Sequence, residues 1–169
     1  FTMTERENAY TWAGPYLNSR QVVVVRANSG IRTLQDLEGK RFAVQVSSKP
    51  DEVLLNHEDA RIPEVDEIYC FSTLDEVYAC MRKGYCDAIA GHESALRLFM
   101  DSLPNEFYML EESLYKSELG VAFEKGTHEE LANELSKTMQ QMRQDGTTAR
   151  ILEKYGINAD YAWSDAYAE

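Results

Sequence analysis

Thr33-Leu34-Gln35-Asp36-Leu37-Glu38-Gly39-Lys40 runs directly into Arg41-Phe42-Ala43-Val44-Gln45-Val46 and then Ser47-Ser48-Lys49-Pro50. The order reads as a short capped helix, a lysine turn, a buried strand and a polar turn that opens a second helix. A strand-to-helix corner of this kind suits small anions, because the first helical turn carries partnerless N–H groups and the positive end of the dipole. Ser47 and Ser48 add hydroxyl donors, and Pro50 suits a first-turn position, where its missing N–H costs nothing. The same residues also serve as plain capping groups, and the local pattern leaves both readings open.

Working outward, Gln21–Arg26 holds four consecutive valines, which suits a strand buried on both faces. Further short apolar runs are Ile68–Phe71, Ala88–Ala90, Phe107–Leu110 and Leu119–Phe123. Helical patterns lie between them. Leu74, Val77, Tyr78 and Met81 repeat at helical spacing behind a Thr73/Glu76 capping box, with Gly84 as the stop. Ala95, Leu96, Phe99 and Met100 mark a second helix. Thr127 with Glu130 predicts another capping box, opening a long helix with the stripe Leu131, Leu135, Met139 and Met142 and ending at Asp145-Gly146. A last short helix runs to about Tyr155-Gly156, and the tail Asn158–Glu169 has no clean period.

Strands alternating with helices predict an α/β fold with a mainly parallel sheet covered on both faces. Ligands of such sheets sit beyond the carboxyl ends of the strands, which puts Gln45–Lys49 and Gly91–Glu93 on one edge.

Composition narrows the partners. With 17 basic and 29 acidic residues the net charge is −12, which argues against nucleic acid or an anionic membrane surface. A chain of 169 residues buries roughly 68–70% of its unfolded surface, enough for a real core. Cys70, Cys80 and Cys86 lack the paired spacing of a structural zinc site and read as buried thiols, with a disulfide as the less favoured alternative. No apolar run approaches the roughly 20 residues of a membrane span. The chain starts at Phe1 rather than Met, as an excised piece would.

The motif series resembles the family 3 extracellular solute-binding proteins, which have the type II periplasmic-binding fold. The residues that carry the likeness are Met3–Glu7, Trp12-Ala13-Gly14-Pro15-Tyr16, Gln21–Arg26, Asn28–Ile31, Leu34–Lys40, Ala43–Gln45, Lys83–Ala88, Leu119–Phe123, and Asp145–Thr147 through Lys154–Gly156. The resemblance implies two α/β lobes joined by two crossing strands, with ligand trapped as the lobes close. It divides the chain into a remnant of lobe one with the first hinge strand (1–27), a complete lobe two (28–106), the second hinge strand with C-terminal helices of lobe one (107–157), and a tail (158–169). The expected architecture is thus a complete second lobe plus the C-terminal part of the first. Apolar faces left open by the partial lobe would be covered by a second copy, as a homodimer.

The resemblance also implies site residues. Arg6 matches the arginine that takes a ligand carboxylate, and planar guanidinium geometry suits that contact. A surface arginine pairing with Glu5 or Glu7 is the structural alternative. Trp12 and Tyr16 match aromatics at the cleft rim, or else pack structurally. Ser48 matches the position that completes the carboxylate clamp, with Gln45 and Ser47 beside it. The acidic residue that fixes a ligand ammonium in the family is replaced by His92, with Glu93 next to it. Either Glu93 substitutes, or the ligand lacks an α-amine, or His92 merely caps a helix.

No nucleophile elbow or metal-ligand spacing is present: His57, His92 and His128 are scattered, so no catalytic residue, metal or cofactor is expected. The implied function is delivery of a small polar solute, such as an amino acid, to the membrane permease of an ABC uptake transporter, outside the cytoplasm. The alternatives are a ligand-sensing domain fused to a histidine kinase or diguanylate cyclase, an enzyme such as the dehydratases and lyase fusions that share this fold, and the effector domain of a LysR-type regulator.

Overall fold

The computed structural model describes residues 2–56 and 59–155, so the expectations for His57 and for the tail from 158 lie outside the described residues. The elements run β1 (Tyr10–Arg26), a single 3-10 turn (Gln35–Leu37), β2 (Arg41–Gln45), α1 (Lys49–Asn56), β3 (Glu67–Phe71) and α2 (Leu74–Lys83). They continue with β4 (Ala88–His92), α3 (Glu93–Asp101), β5 (Phe107–Glu124), α4 (Glu129–Gln144) and α5 (Thr147–Lys154).

The five strands form one sheet in the order β3-β2-β4-β1-β5. β2 is parallel to both β3 and β4, whereas β1 is antiparallel to β4, so the sheet is mixed. The chain forms two compact units. One is Arg20–Tyr115; the other joins Phe1–Ser19 to the chain from Lys116 onward, so the divisions fall inside β1 and β5.

The valine run behaves as a strand buried on both faces must. Val23 and Val25 join Phe42, Val44, Ala88 and Ala90 on one face, covered by Ile31, Leu34, Leu37 and Leu54. Val22 and Val24 join Ala43 and Ile89 on the other, covered by Val77 and Met81 of α2 and by Leu96 and Phe99 of α3. All four valines are fully buried, and burying each such side chain is worth about 1.5–3 kcal/mol.

Helix ends follow local chemistry where the sequence supplies it. Thr73 and Glu76 form the full capping box, and Gly84 closes α2 in the left-handed region at φ 73°. Around the 3-10 turn, the Asp36 carboxylate accepts from the Arg32 and Thr33 amides at 2.9 Å each.

Several expectations are corrected. The capping box at Thr127 does not form: the Thr127 hydroxyl donates to the Glu124 carbonyl at 2.7 Å, closing the preceding turn, and α4 starts after His128 with no side-chain cap. The stripe of α4 holds at Leu135, Met139 and Met142, which are half-buried, but its first position is taken by buried Ala132, while Leu131 is 54% exposed. Phe107–Leu110 and Leu119–Phe123 belong to one continuous strand, β5. Cys70 is exposed rather than buried, because β3 is the sheet's outer strand.

Candidate functional site

Parallel pairing of β2 with β4, in the register Phe42 with Ala88 and Ala43 with Ile89, brings Gln45 and His92 to the same carboxyl edge. The corner beyond β2 is built around Asp51. Ser47 is in the left-handed region at φ 59°, and its amide donates to Asp51 Oδ2 at 2.8 Å. The Asp51 amide donates to Ser48 Oγ at 3.4 Å, and the Cys70 thiol donates to Asp51 Oδ1 at 3.1 Å. Asp51 itself is buried. Partial desolvation of the sulfur on the side facing the corner first, and its hydrogen bond to the Asp51 carboxylate second, push the otherwise exposed Cys70 thiol up to about 11.

The Ser48 amide donates to the Gln45 carbonyl at 3.2 Å, and Gln45 Nε2 donates to the Ser72 carbonyl at 3.1 Å. The two serine amides are thus engaged within the protein, and the Ser48 hydroxyl, which accepts from the Asp51 amide, keeps its own O–H as a donor. Lys49 adds positive charge: its Nζ pairs with Glu52 at 3.0 Å and lies 4.5 Å from the centre of the Tyr115 ring.

At the end of β4, His92 precedes α3 without capping it through its side chain. Its Nδ1 sits 3.0 Å from Ser94 Oγ. Burial lowers its pKa below the ordinary imidazole value, and the neighbouring Glu93 carboxylate partly opposes this.

Glu93 is held by two arginines. Arg20 Nε donates to Oε2 at 2.6 Å and Arg20 Nη2 to Oε1 at 3.0 Å, while Arg97 Nε donates to Oε1 at 2.9 Å. Arg20 Nη1 also donates to the Glu111 carbonyl at 2.9 Å. Burial works to raise the Glu93 pKa, but the bonds from Arg20 and Arg97 outweigh it and hold the carboxyl below its usual range. The Glu93 carboxylate therefore already has two cationic partners.

In the other unit, the segment carrying Arg6 is pinned to β5. The Met3 amide donates to the Glu118 carbonyl at 2.8 Å, and the Glu118 amide to Thr4 Oγ1 at 2.9 Å. Arg6 lies in the turn that follows, its carbonyl accepting from Trp12 Nε1 at 3.2 Å and from the Ala9 amide at 3.0 Å. Trp12 meets Tyr10 edge-on with ring centres 5.5 Å apart. Tyr16 is half-buried on β1.

The structure therefore groups Gln45, Ser47, Ser48, His92 and Glu93 on one edge of the Arg20–Tyr115 unit, and Arg6, Trp12 and Tyr16 in one short stretch of the other. Sequence reasoning missed Arg20 and Asp51, whose partners are 73 and 4 residues away respectively. The Asp51 bond had a local signal, an acidic residue in the first turn of α1.

Among the described residues, cavities also lie elsewhere. One of about 500 Å³ is bounded by Gly14, Pro15 and the Asn133–Arg143 side of α4. Another, of about 310 Å³, is lined by Arg41, Tyr69, Phe71, Cys80 and Tyr85. Among the described residues no His/Cys/Asp/Glu group could hold a metal ion, and no helix is long and apolar enough to cross a membrane.

A mixed sheet clad by helices on both faces, with polar corners at the carboxyl ends of its parallel strands, defines a type II periplasmic-binding-like protein. The chain belongs to the bacterial extracellular solute-binding proteins, family 3, whose family model matches residues 1–158. That family comprises binding proteins that act outside the cytoplasm.

The chain is 24% identical over 154 residues to the probable amino-acid-binding protein YxeM of Bacillus subtilis, covering 89% of this chain and 57% of that protein. Among solved structures, Tv2483 bound to L-arginine superposes with a TM-score of 0.72 at 28% identity, covering 94% of this chain and 64% of that one. An ancestral arginine-binding protein bound to arginine gives 0.71 at 27% identity, with coverage of 92% and 68%. The chain thus spans a little over half the length of this curated relative.

Proposed function

We propose that this chain is part of the solute-binding component of an ABC uptake transporter, and that its ligand is a small polar solute with a carboxylate, most simply an L-amino acid. The single observation that carries this is the match of family 3 across nearly the whole chain. The named ligands of relatives point the same way, L-arginine for one and L-cystine for another.

In this reading Ser48 and Ser47 donate hydroxyl hydrogen bonds to the ligand carboxylate, and Lys49 supplies positive charge beside them. Arg6 makes the bidentate carboxylate contact from its own unit, with Trp12 and Tyr16 covering the ligand side chain. Gln45 and His92 complete the polar edge. Glu93 acts by keeping Arg20 and α3 in place, because two guanidinium groups already take its oxygens. Ligand favours the closed form through contacts it makes there and not in the open form, and the closed form is what the permease receives. The reading assigns binding and no chemical step.

A corollary is self-association through Leu131, Ile151 and Tyr155, large apolar residues that are 54%, 44% and 71% exposed. A light-scattering mass of one chain at high concentration would contradict it. The primary test is a thermal-shift screen against amino acids, short peptides and organic acids, repeated on Arg6→Ala and Ser48→Ala. The reading expects stabilisation by at least one α-amino acid that both variants lose; stabilisation by none would refute the amino-acid class.

A further inference from the structure

Cys80 lies in the last turn of α2, and Cys86 lies two residues beyond the glycine that ends it. At Gly84 the chain reverses. The Gly84 amide donates to the Met81 carbonyl and the Tyr85 amide to the Cys80 carbonyl, both at 3.1 Å. This reversal returns Cys86 to the flank of Cys80. The two side chains are 4% and 2% exposed and belong to the same core cluster as Val22, Ala43 and Ile89. They pack in that one cluster, and the reversal brings the Cys86 thiol near enough to that of Cys80 for the two to interact. Solute binding makes no use of either.

Cys70 cannot compete for this pairing. It is in register with Val44 on β2, which belongs to the opposite face of the sheet, and its thiol is engaged by Asp51.

We propose that Cys80 and Cys86 are a disulfide-forming pair, closing to an intramolecular bond in the oxidising surroundings where extracellular proteins work, while Cys70 stays a thiol. The oxidant is a small disulfide such as oxidised glutathione. The thiolate of one cysteine attacks an oxidant sulfur and expels one glutathione thiol. The second cysteine then attacks the mixed disulfide and expels the other. The pair loses two protons and two electrons, and the oxidant's sulfur–sulfur bond is reduced to two thiols.

Burial pushes the Cys86 thiol far above its usual range, so thiolate is scarce once the core has packed. The bond therefore forms as α2 and β4 come together, and the finished core then shields it from reductants. It fastens the end of α2 to the start of β4, next to Asp87, whose carboxylate holds Arg41 Nε and Nη2 at 3.0 Å each.

The test is disulfide mapping. The 169-residue chain is unfolded, refolded with oxidised and reduced glutathione, alkylated in denaturant and digested with trypsin and a glutamate-specific protease, which cut after Glu76, Arg82 and Lys83 and so place Cys70, Cys80 and Cys86 on separate peptides. The expected result is one alkylated cysteine, Cys70, and a peptide pair held together until dithiothreitol is added. A melting temperature that drops on reduction accompanies it, and Cys80→Ala and Cys86→Ala each remove that redox dependence. Three alkylated cysteines, separate glutathione adducts on Cys80 and Cys86, or a crosslink to Cys70 would overturn the proposal. Mapping the chain after export to a bacterial periplasm, without unfolding, gives the same decision if refolding in vitro is poor.

Discussion

Arg20 and Glu93 form a bidentate ion pair with bonds of 2.6 and 3.0 Å, and their side chains are only 10% and 14% exposed. The pair ties the middle of β1 to the first residue of α3, the element that follows the candidate edge at His92. Removing one partner leaves a buried charge without its main counterion. Arg20→Ala is therefore expected to cost about 3 kcal/mol, read as a lower urea midpoint. Because Glu93 keeps Arg97, the double variant Arg20→Ala/Glu93→Ala should be less destabilised than the sum of the single ones.

Acid should weaken the fold in two steps. His92 has a folded pKa below its unfolded value, so its neutral form is favoured. Its contribution is complete above the unfolded pKa of about 6.5 and fades as pH falls from there through the folded pKa. Glu93 is likewise depressed, so its contribution is complete above about 4.3 and is lost as pH drops through its folded pKa. Urea midpoints measured from pH 8 to pH 3 should show both losses. His92→Gln should remove the upper one and Glu93→Gln the lower.

Asp51 holds the Ser47–Ser48 corner from behind. Asp51→Asn keeps the shape but removes the charge that restrains the Cys70 thiol. The pH profile of Cys70 alkylation should shift downward from about 11. Asp51→Ala should in addition cost about 1–2 kcal/mol, as for loss of a helix-terminal cap. An unchanged alkylation profile in the Asn variant would deny the carboxylate its role.

Gly120 lies where a Cβ would come 2.5 Å from Met3 Sδ and 3.0 Å from the Ala13 carbonyl. The methionine can swing away, but the backbone carbonyl cannot. Gly120→Ala should destabilise the unit that joins Phe1–Ser19 to the chain from Lys116 by about 1–3 kcal/mol, and adding Met3→Ala should recover part of that. Thermal melts of the two variants are a direct comparison.

Local chemistry was legible and distant pairing was not. The four valines, the Thr73/Glu76 box and the Gly84 stop each depend on neighbours within a few residues, and each appears as read. The first half of β1 was invisible because Gly14, Pro15, Asn18 and Ser19 interrupt any strand pattern, and pairing alone extends it to Tyr10. β5 reads as two strands because Glu111, Glu112, Lys116 and Glu118 break its apolar run. Thr127 had a capping signature, yet its hydroxyl serves the turn before it. At the candidate edge, the turn residues Ser47, Ser48 and His92 could be located from strand ends. The engagement of Glu93 by Arg20, from 73 residues away, has no sequence signal.

Solute capture at the Ser47–Ser48 corner, proposed above, is tested most directly by calorimetric titration of the protein with the amino acid that most raises its melting temperature. Saturable binding at one site is expected, with Ser48→Ala weakening Kd at least about tenfold, equivalent to about 1.4 kcal/mol. An unchanged Kd in Ser48→Ala, with the fold intact, would contradict it.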